Sequence, residues 1–235
     1  MKEIWNESCI LSPSLICLDM CNLEREVRSL EKAGIKMLHV DILDGHFSPS
    51  MPLGLDTVRQ LRAKTDMFFD CHVMVTEQDY FVDELLDMGV DQIVFHGETQ
   101  SHIDGMLNRI HAKGVKAGVA LKPSTSLTEL EYVLDKCDTV LLMLINPGYA
   151  FVKGEKQVAY ADRKIRELRK MITDRGLKTK IEVDGRISQD NIRTYGKGDV
   201  DIFVTGSTCI KKDNMEQSLA DLMKLHDLVQ GTSGK

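Results

Sequence analysis

The chain has 235 residues, 43% of them hydrophobic, and its 30 basic and 36 acidic side chains leave a net charge of -6. That composition supports one domain around one substantial core, and the lack of any basic stripe argues against nucleic acid as a partner. The opening Met1-Lys2-Glu3-Ile4-Trp5-Asn6-Glu7 lacks the apolar stretch of a secretory signal, and no apolar run approaches the ~20 residues that cross a bilayer. A soluble, cytoplasmic protein without membrane contact is expected. Cys9, Cys17, Cys21, Cys71, Cys137 and Cys209 are scattered through apolar segments without CxxC spacing, a pattern of free buried thiols.

In chain order, strands are expected near residues 9–13, 37–41, 68–73, 91–96, 116–121, 139–145, 180–184 and 200–205, each a short, nearly continuous apolar run. Apolar stripes at three- and four-residue spacing mark helices between them: Leu23, Val27 and Leu30; Ile103, Met106, Leu107 and Ile110; Leu127, Leu130, Val133 and Leu134. Ser126 with Glu129 reads as a capping box for the last of these. Gly34, Gly89, Gly114, Gly176 and Gly198 each end a helical pattern just before an apolar run, where a left-handed residue closes a helix C-terminus. The repeating unit is helix, glycine, strand. Eight such strands without a long linker predict a closed (β/α)8 TIM barrel, a single domain over residues 1–235 with frayed ends at 1–8 and 231–235. An open doubly wound sheet shares the periodicity and is the alternative.

The chemistry concentrates at expected strand ends, where barrels of this kind build their sites. In His39-Val40-Asp41 the imidazole and the carboxylate share one strand face. Asp70-Cys71-His72 adds a second imidazole and Glu182-Val183-Asp184 a second carboxylate. One histidine in an apolar strand is usually a satisfied core residue; four such groups at the same end of the barrel suit a divalent ion. Zinc is the first expectation, with iron(II), manganese and cobalt accepting the same ligands. Such an ion can stabilise the enediolate formed when a hydroxyketone loses the proton between its oxygens. Asp41 and Asp184, on strands from different sides of the mouth, could flank that planar intermediate as acid and base, which would invert a stereocentre. Ser14, Met74, His96 and Met143 fall at the same end. The turns Asn146-Pro147-Gly148 and Thr205-Gly206-Ser207-Thr208 could present backbone N–H groups to an anion, implying a small phosphosugar.

These motifs, with Ser12-Pro13-Ser14-Leu15, His39-Val40-Asp41-Ile42-Leu43-Asp44-Gly45-His46-Phe47, Val140-Leu141-Leu142-Met143 and Asn146-Pro147-Gly148-Tyr149, run in order along nearly the whole chain. Together they resemble the ribulose-phosphate 3-epimerase family, which includes the allulose-6-phosphate 3-epimerases. The resemblance implies His39, Asp41, His72 and Asp184 as metal ligands and Asp41 with Asp184 as the acid/base pair. It implies Ser14, His72, Met74, Met143, Asn146, Gly148, Gly185, Arg186, Gly206 and Ser207 around the substrate, and a homo-oligomer, dimer or hexamer. Ribulose 5-phosphate is the default substrate and allulose 6-phosphate the alternative. A phosphosugar-binding barrel without turnover is a further alternative. A phosphosugar decarboxylase would place Asp-x-Lys-x-x-Asp after a strand, and Asp41-Ile42-Leu43-Asp44 has no such lysine.

The chain departs from the family at the substrate end. Gly148-Tyr149-Ala150-Phe151-Val152-Lys153-Gly154 stands where members usually carry Gly-Phe-Gly-Gly-Gln or Gly-Phe-Ala-Gly-Gln, and Asp184-Gly185-Arg186 replaces Asp-Gly-Gly. Arg186 and Lys153 could pair with phosphate or be solvated loop cations. The loop from Ala150 to Lys156 is a candidate lid.

Overall fold

A strand whose two faces are both buried reads as a continuous apolar run unless one face has polar work to do. Both cases meet in this protein. In the computed structural model, which describes residues 3–149, 152–211 and 213–232, all eight expected strands form: β1 (Ile10–Pro13), β2 (Met37–Leu43), β3 (Phe68–Met74), β4 (Gln92–His96), β5 (Lys116–Leu121), β6 (Thr139–Met143), β7 (Lys180–Asp184) and β8 (Ile202–Thr205). They pair in parallel in the order β1-β8-β7-β6-β5-β4-β3-β2. A single bridge, Ser14 to His39, joins β1 to β2. The sheet is a barrel, closed by one bridge at that seam, and the open-sheet alternative falls away.

Around it lie α1 (Leu23–Lys32), α2 (Leu55–Arg62), α3 (Gln78–Met88), α4 (Ile103–His111), α5 (Ala161–Asp174), α6 (Gln189–Tyr195) and α7 (Met215–Thr232). Outward strand residues such as Leu38, Val40, Phe69, Val73, Phe95, Val140 and Phe203 pack with the helix stripes in one large core. All five helix-ending glycines have positive φ, as their positions predict. Among the described residues no helix is long and apolar enough to cross a membrane.

Two local expectations fail. Residues 127–134 do not form an α-helix but two 3-10 turns, Leu127–Leu130 and Leu134–Lys136. Thr128, Tyr132 and Val133 are poor helix formers, and the tighter turns still bury Leu130 and Leu134. Ser126 accepts from the Thr128 N–H without a reciprocal bond from Glu129, whereas Ser188 and Asn191 form a full capping box at α6. All six cysteines are free, but Cys21 is exposed rather than buried.

The inward faces are layered. At the N-terminal mouth Ile10, Met37, Phe68 and Ile202 pack with Ile4 and Trp5. Trp5 stacks on Phe68 with ring centroids 5.7 Å apart, and Lys116 Nζ sits 4.2 Å from the indole. Ile4 and Trp5 therefore plug this mouth where fraying is expected; residues 1–2 and 233–235 lie outside the described residues. Deeper in, fully buried His39, Asp70, Gln92, Thr139 and Glu182 replace the usual aliphatic filling. Buried polar groups are costly unless paired, so this layer makes sense only through what it supports.

Candidate active site

Register builds the site. Parallel pairing sets Asp41 beside His72 and Met143 beside Asp184, all at strand C-terminal ends. One atom from each of His39, Asp41, His72 and Asp184 falls within 4.8 Å of the others. Asp41 Oδ1 lies 3.3 Å from His39 Nε2 and 3.6 Å from His72 Nδ1, while its Oδ2 accepts from the Ser14 hydroxyl at 2.8 Å. Both of those imidazole nitrogens are buried without a hydrogen-bond partner. Orphaned buried nitrogens are rare, and two of them aimed at the same pair of carboxylates fit a divalent ion.

The opposite nitrogens are engaged. His39 Nδ1 donates to Asp70 Oδ2 at 2.8 Å, and Asp70 Oδ1 accepts from Gln92, whose own oxygen accepts from Thr139. Glu182 Oε1 lies 3.2 Å from the same His39 nitrogen. On the other side His72 Nε2 meets His96 Nε2 at 3.0 Å, and His96 Nδ1 meets Glu98 Oε2 at 2.8 Å. Glu98 Oε1 accepts from the Lys122 N–H and the Thr125 hydroxyl.

Proton affinities diverge within this ring. Burial opposes the charge of Asp41, but His39 above all overcomes it and holds its carboxyl below the usual range. Desolvation and the Asp41 charge push Asp184 up. Burial and the Asp70 charge push Glu182 well up. His39 is held well above the ordinary histidine value by Asp41 and Asp70 despite its burial. Burial takes His96 down to about 4, keeping it neutral; Glu98, though burial works against its charge, is held at about 2 by His96, Thr125 and the Lys122 N–H. Two carboxylates with affinities pushed apart are the mark of an acid and a base.

Above the ring a pocket is lined by Ser14, Asp41, Met74, Met143, Gly148, Asp184, Gly185, Arg186, Gly206 and Ser207, together with Ile16, Cys17, Leu43, Ser50 and Ile145. Met74 and Met143 are almost fully buried and give it an apolar wall. Gly185 has φ +115 and sits where a Cβ would come within 2.8 Å of Ile145 Cγ1. The Gln157 amide clamps this turn, donating to the Gly185 and Arg186 carbonyls and to Asn191.

The profile of the Ribulose-phosphate 3 epimerase family matches residues 10–210, from β1 to the turn beyond β8. The chain belongs to the ribulose-phosphate 3-epimerase family. The chloroplastic ribulose-5-phosphate-3-epimerase of Arabidopsis thaliana is 37% identical over 200 residues, covering 84% of this chain and 70% of that protein. The ribulose-phosphate 3-epimerase of Treponema pallidum is 36% identical, covering 85% and 90%, and that of Bacillus subtilis 32% identical, covering 90% and 97%. Membership makes the chain an epimerase, of the isomerase class. Two solved barrels share the fold alone. KGPDC from Streptococcus mutans has a TM-score of 0.69 at 13% identity, covering 97% of this chain and all of that one. The 3-hexulose-6-phosphate synthase of Salmonella typhimurium has a TM-score of 0.67 at 16% identity, covering 95% and 99%.

Of the residues this ribulose-phosphate 3-epimerase homologue offers from sequence, the four expected ligands meet and eight of the substrate candidates line the pocket. His72 is sealed beneath it. Asn146 is not brought to the pocket: it is exposed and donates its backbone and side-chain N–H groups to Glu155. Lys153 is exposed outside the lining, and Ala150 and Phe151 of the candidate lid lie outside the described residues. Sequence reading missed Asp70, Glu182, Glu98 and Gln157. Asp70 and Glu182 sit two residues before His72 and Asp184, so strand alternation alone places them on the same inward face.

Proposed function

We propose that this protein is a metal-dependent ketose-phosphate 3-epimerase that inverts C3 of D-ribulose 5-phosphate to give D-xylulose 5-phosphate. The observation that carries it is the pair Asp41 and Asp184, three strands apart around the ring, with opposite proton affinities in one cluster with two histidines. His39, Asp41, His72 and Asp184 would hold the ion, zinc by preference, which when bound supplies a Lewis acid that makes the C3 proton acidic.

The protein's own groups do the rest. Asp41, ionised, takes the C3 proton on one face, and Asp184, which holds its proton more firmly, returns one to the other face; the reverse reaction exchanges the roles. Ser14 keeps one Asp41 oxygen occupied and fixes the rotation of the carboxylate. Met74 and Met143 exclude water from the planar intermediate, which strengthens every charge interaction beside it. The turns at Gly148, Gly185–Arg186 and Gly206–Ser207 face the remaining side of the pocket and are assigned to the phosphate. The named relatives at 32–37% identity support the five-carbon substrate. A homo-oligomer acting in the cytoplasm completes the proposal, its size readable by light scattering.

The test is proton NMR of ribulose 5-phosphate and allulose 6-phosphate in D2O with zinc-loaded protein and with Asp184→Asn. Deuterium should enter C3 of ribulose 5-phosphate together with the inverted sugar, and inversion should fall by ~10²- to 10⁴-fold in the variant. Faster exchange on the six-carbon sugar would replace the substrate; exchange on neither would end the epimerase reading.

A further inference from the structure

His96 and Glu98 take no part in the acid/base pair, yet they stand in line behind one of its histidines. The direction of every proton in that line can be worked out from its far end. The Lys122 N–H and the Thr125 hydroxyl reach one Glu98 oxygen and His96 Nδ1 the other, the surroundings of a carboxylate, which only accepts. With Oε1 taken by the first two donors, Oε2 must receive a proton from His96 Nδ1, 2.8 Å away. With its single ring proton on Nδ1, His96 presents a bare Nε2, and across the 3.0 Å contact with His72 Nε2 only one of the two facing nitrogens can carry a proton. The His72 proton therefore sits on Nε2. His72 Nδ1 is left with its lone pair, unpartnered, 3.6 Å from Asp41 Oδ1. The Phe47 ring, with its centroid 4.6 Å from that of His96, packs over the line.

We infer that His96 and Glu98 are positioning residues that lock His72 in the Nε2–H form and so aim its bare Nδ1 at the metal. His39 is set by a carboxylate directly, through Asp70; His72 is set by a carboxylate through an intervening imidazole. The two histidines consequently present different nitrogens, Nε2 from His39 and Nδ1 from His72. The inference rests on the metal reading of the site and is independent of which sugar is turned over.

Glu98→Gln separates this role from simple packing. The amide oxygen of the introduced glutamine, still claimed by the Lys122 N–H and the Thr125 hydroxyl, leaves the NH2 facing His96 Nδ1, which must then accept. His96 turns its proton to Nε2, His72 must accept on Nε2, and its own proton moves to Nδ1 in the metal site. Zinc affinity, measured by competition with a chromophoric chelator, should fall ~10- to 100-fold, and nitrogen NMR of the zinc-loaded protein should show His96 changing from the Nδ1–H to the Nε2–H form. His96→Gln is the control: its amide can accept from His72 and donate to Glu98, so zinc affinity should stay close to native. A folded Glu98→Gln that binds zinc as tightly as the native protein overturns the inference. So does an Nε2–H His96 in the native protein, which settles the matter even if the variant does not fold. Native protein that binds zinc, manganese and cobalt not at all overturns the metal reading and this inference with it, whereas zinc binding without C3 exchange overturns only the sugar.

Discussion

Arg186 is the only non-glycine residue with positive φ among the described residues, at φ +56 between Gly185 and Ile187 on the pocket wall. A left-handed conformation costs a residue with a Cβ ~1–2 kcal/mol, and strain of that kind persists where the site uses the side chain. Arg186→Gly removes that strain. Against the relief stand ~0.4–1 kcal/mol from the greater freedom of glycine in the unfolded chain and about 0.5–1 kcal/mol from the lost bond of Arg186 Nη2 to the Val152 carbonyl. The sum lies within about 1 kcal/mol of zero, which moves the melting midpoint by no more than ~4 °C in a chain of this length. Ligand binding should respond far more. A guanidinium bond to phosphate contributes about 1.5–3 kcal/mol, so KM for ribulose 5-phosphate should rise about 10- to 100-fold while kcat changes little, because a contact remote from C3 holds ground and transition states alike. Melting curves and initial-rate kinetics on the same preparations read both halves. An unchanged KM would make Arg186 a solvated loop cation, and a midpoint lower by about 10 °C, well past the limit set by these terms, would refute the strain argument.

Gly148→Ala should destabilise the protein by at least ~1–2 kcal/mol, because φ is +77 and a Cβ would run into the Ser48 side chain. Adding Ser48→Gly should relieve the collision but not the backbone strain, and a double-mutant melt showing strict additivity would contradict that geometry. Stripping the metal with a chelator should abolish turnover and lower the melting midpoint; at a free zinc concentration about 100 times Kd, readdition should restore about 2.7 kcal/mol of stability, and a midpoint indifferent to zinc would deny an ion bound to the native state. Asp44, despite some burial, is held at about 2 by the N–H groups of Thr76, Phe47 and His46, below its ordinary 3.8. A depressed acid stabilises the fold fully above its unfolded value and loses that contribution as pH falls through its folded value, so native protein should lose stability between about pH 4 and about pH 2 more steeply than Asp44→Asn; equal slopes in melts across that range would refute the assignment.

The barrel was legible because apolar strand runs recur along the chain, and because glycines mark where five of the helices stop. The four clustered residues were legible for a different reason: His39 with Asp41, His72 and Asp184 are polar residues inside apolar runs, where polarity needs an explanation. Residues 127–134 were misread because periodicity reports which side chains face inward, and a 3-10 turn buries Leu130 and Leu134 as well as an α-helix does. The turn motif and the family resemblance put Asn146 at the substrate, and no local signal announces its engagement with Glu155. The Glu98 carboxylate was invisible as part of the site because its connection to His72 runs through a third side chain and is closed by Thr125, 27 residues away.

The lone bridge between β1 and β2 has a consequence for the order in which the protein is made. Beyond that bridge, β1 takes its register from β8, with Pro13 opposite Thr205, so the first strand synthesised waits for the last. The β2–β3 ladder needs nothing beyond Met74 and already aligns His39, Asp41 and His72. Asp184 follows about 110 residues later, on the order of 10 s at ribosomal rates of ~5–20 residues per second. Three of the four proposed metal ligands are thus synthesised well before Asp184, the proposed second acid, and Ser14, whose hydroxyl bonds Asp41, takes its place only when the ring shuts.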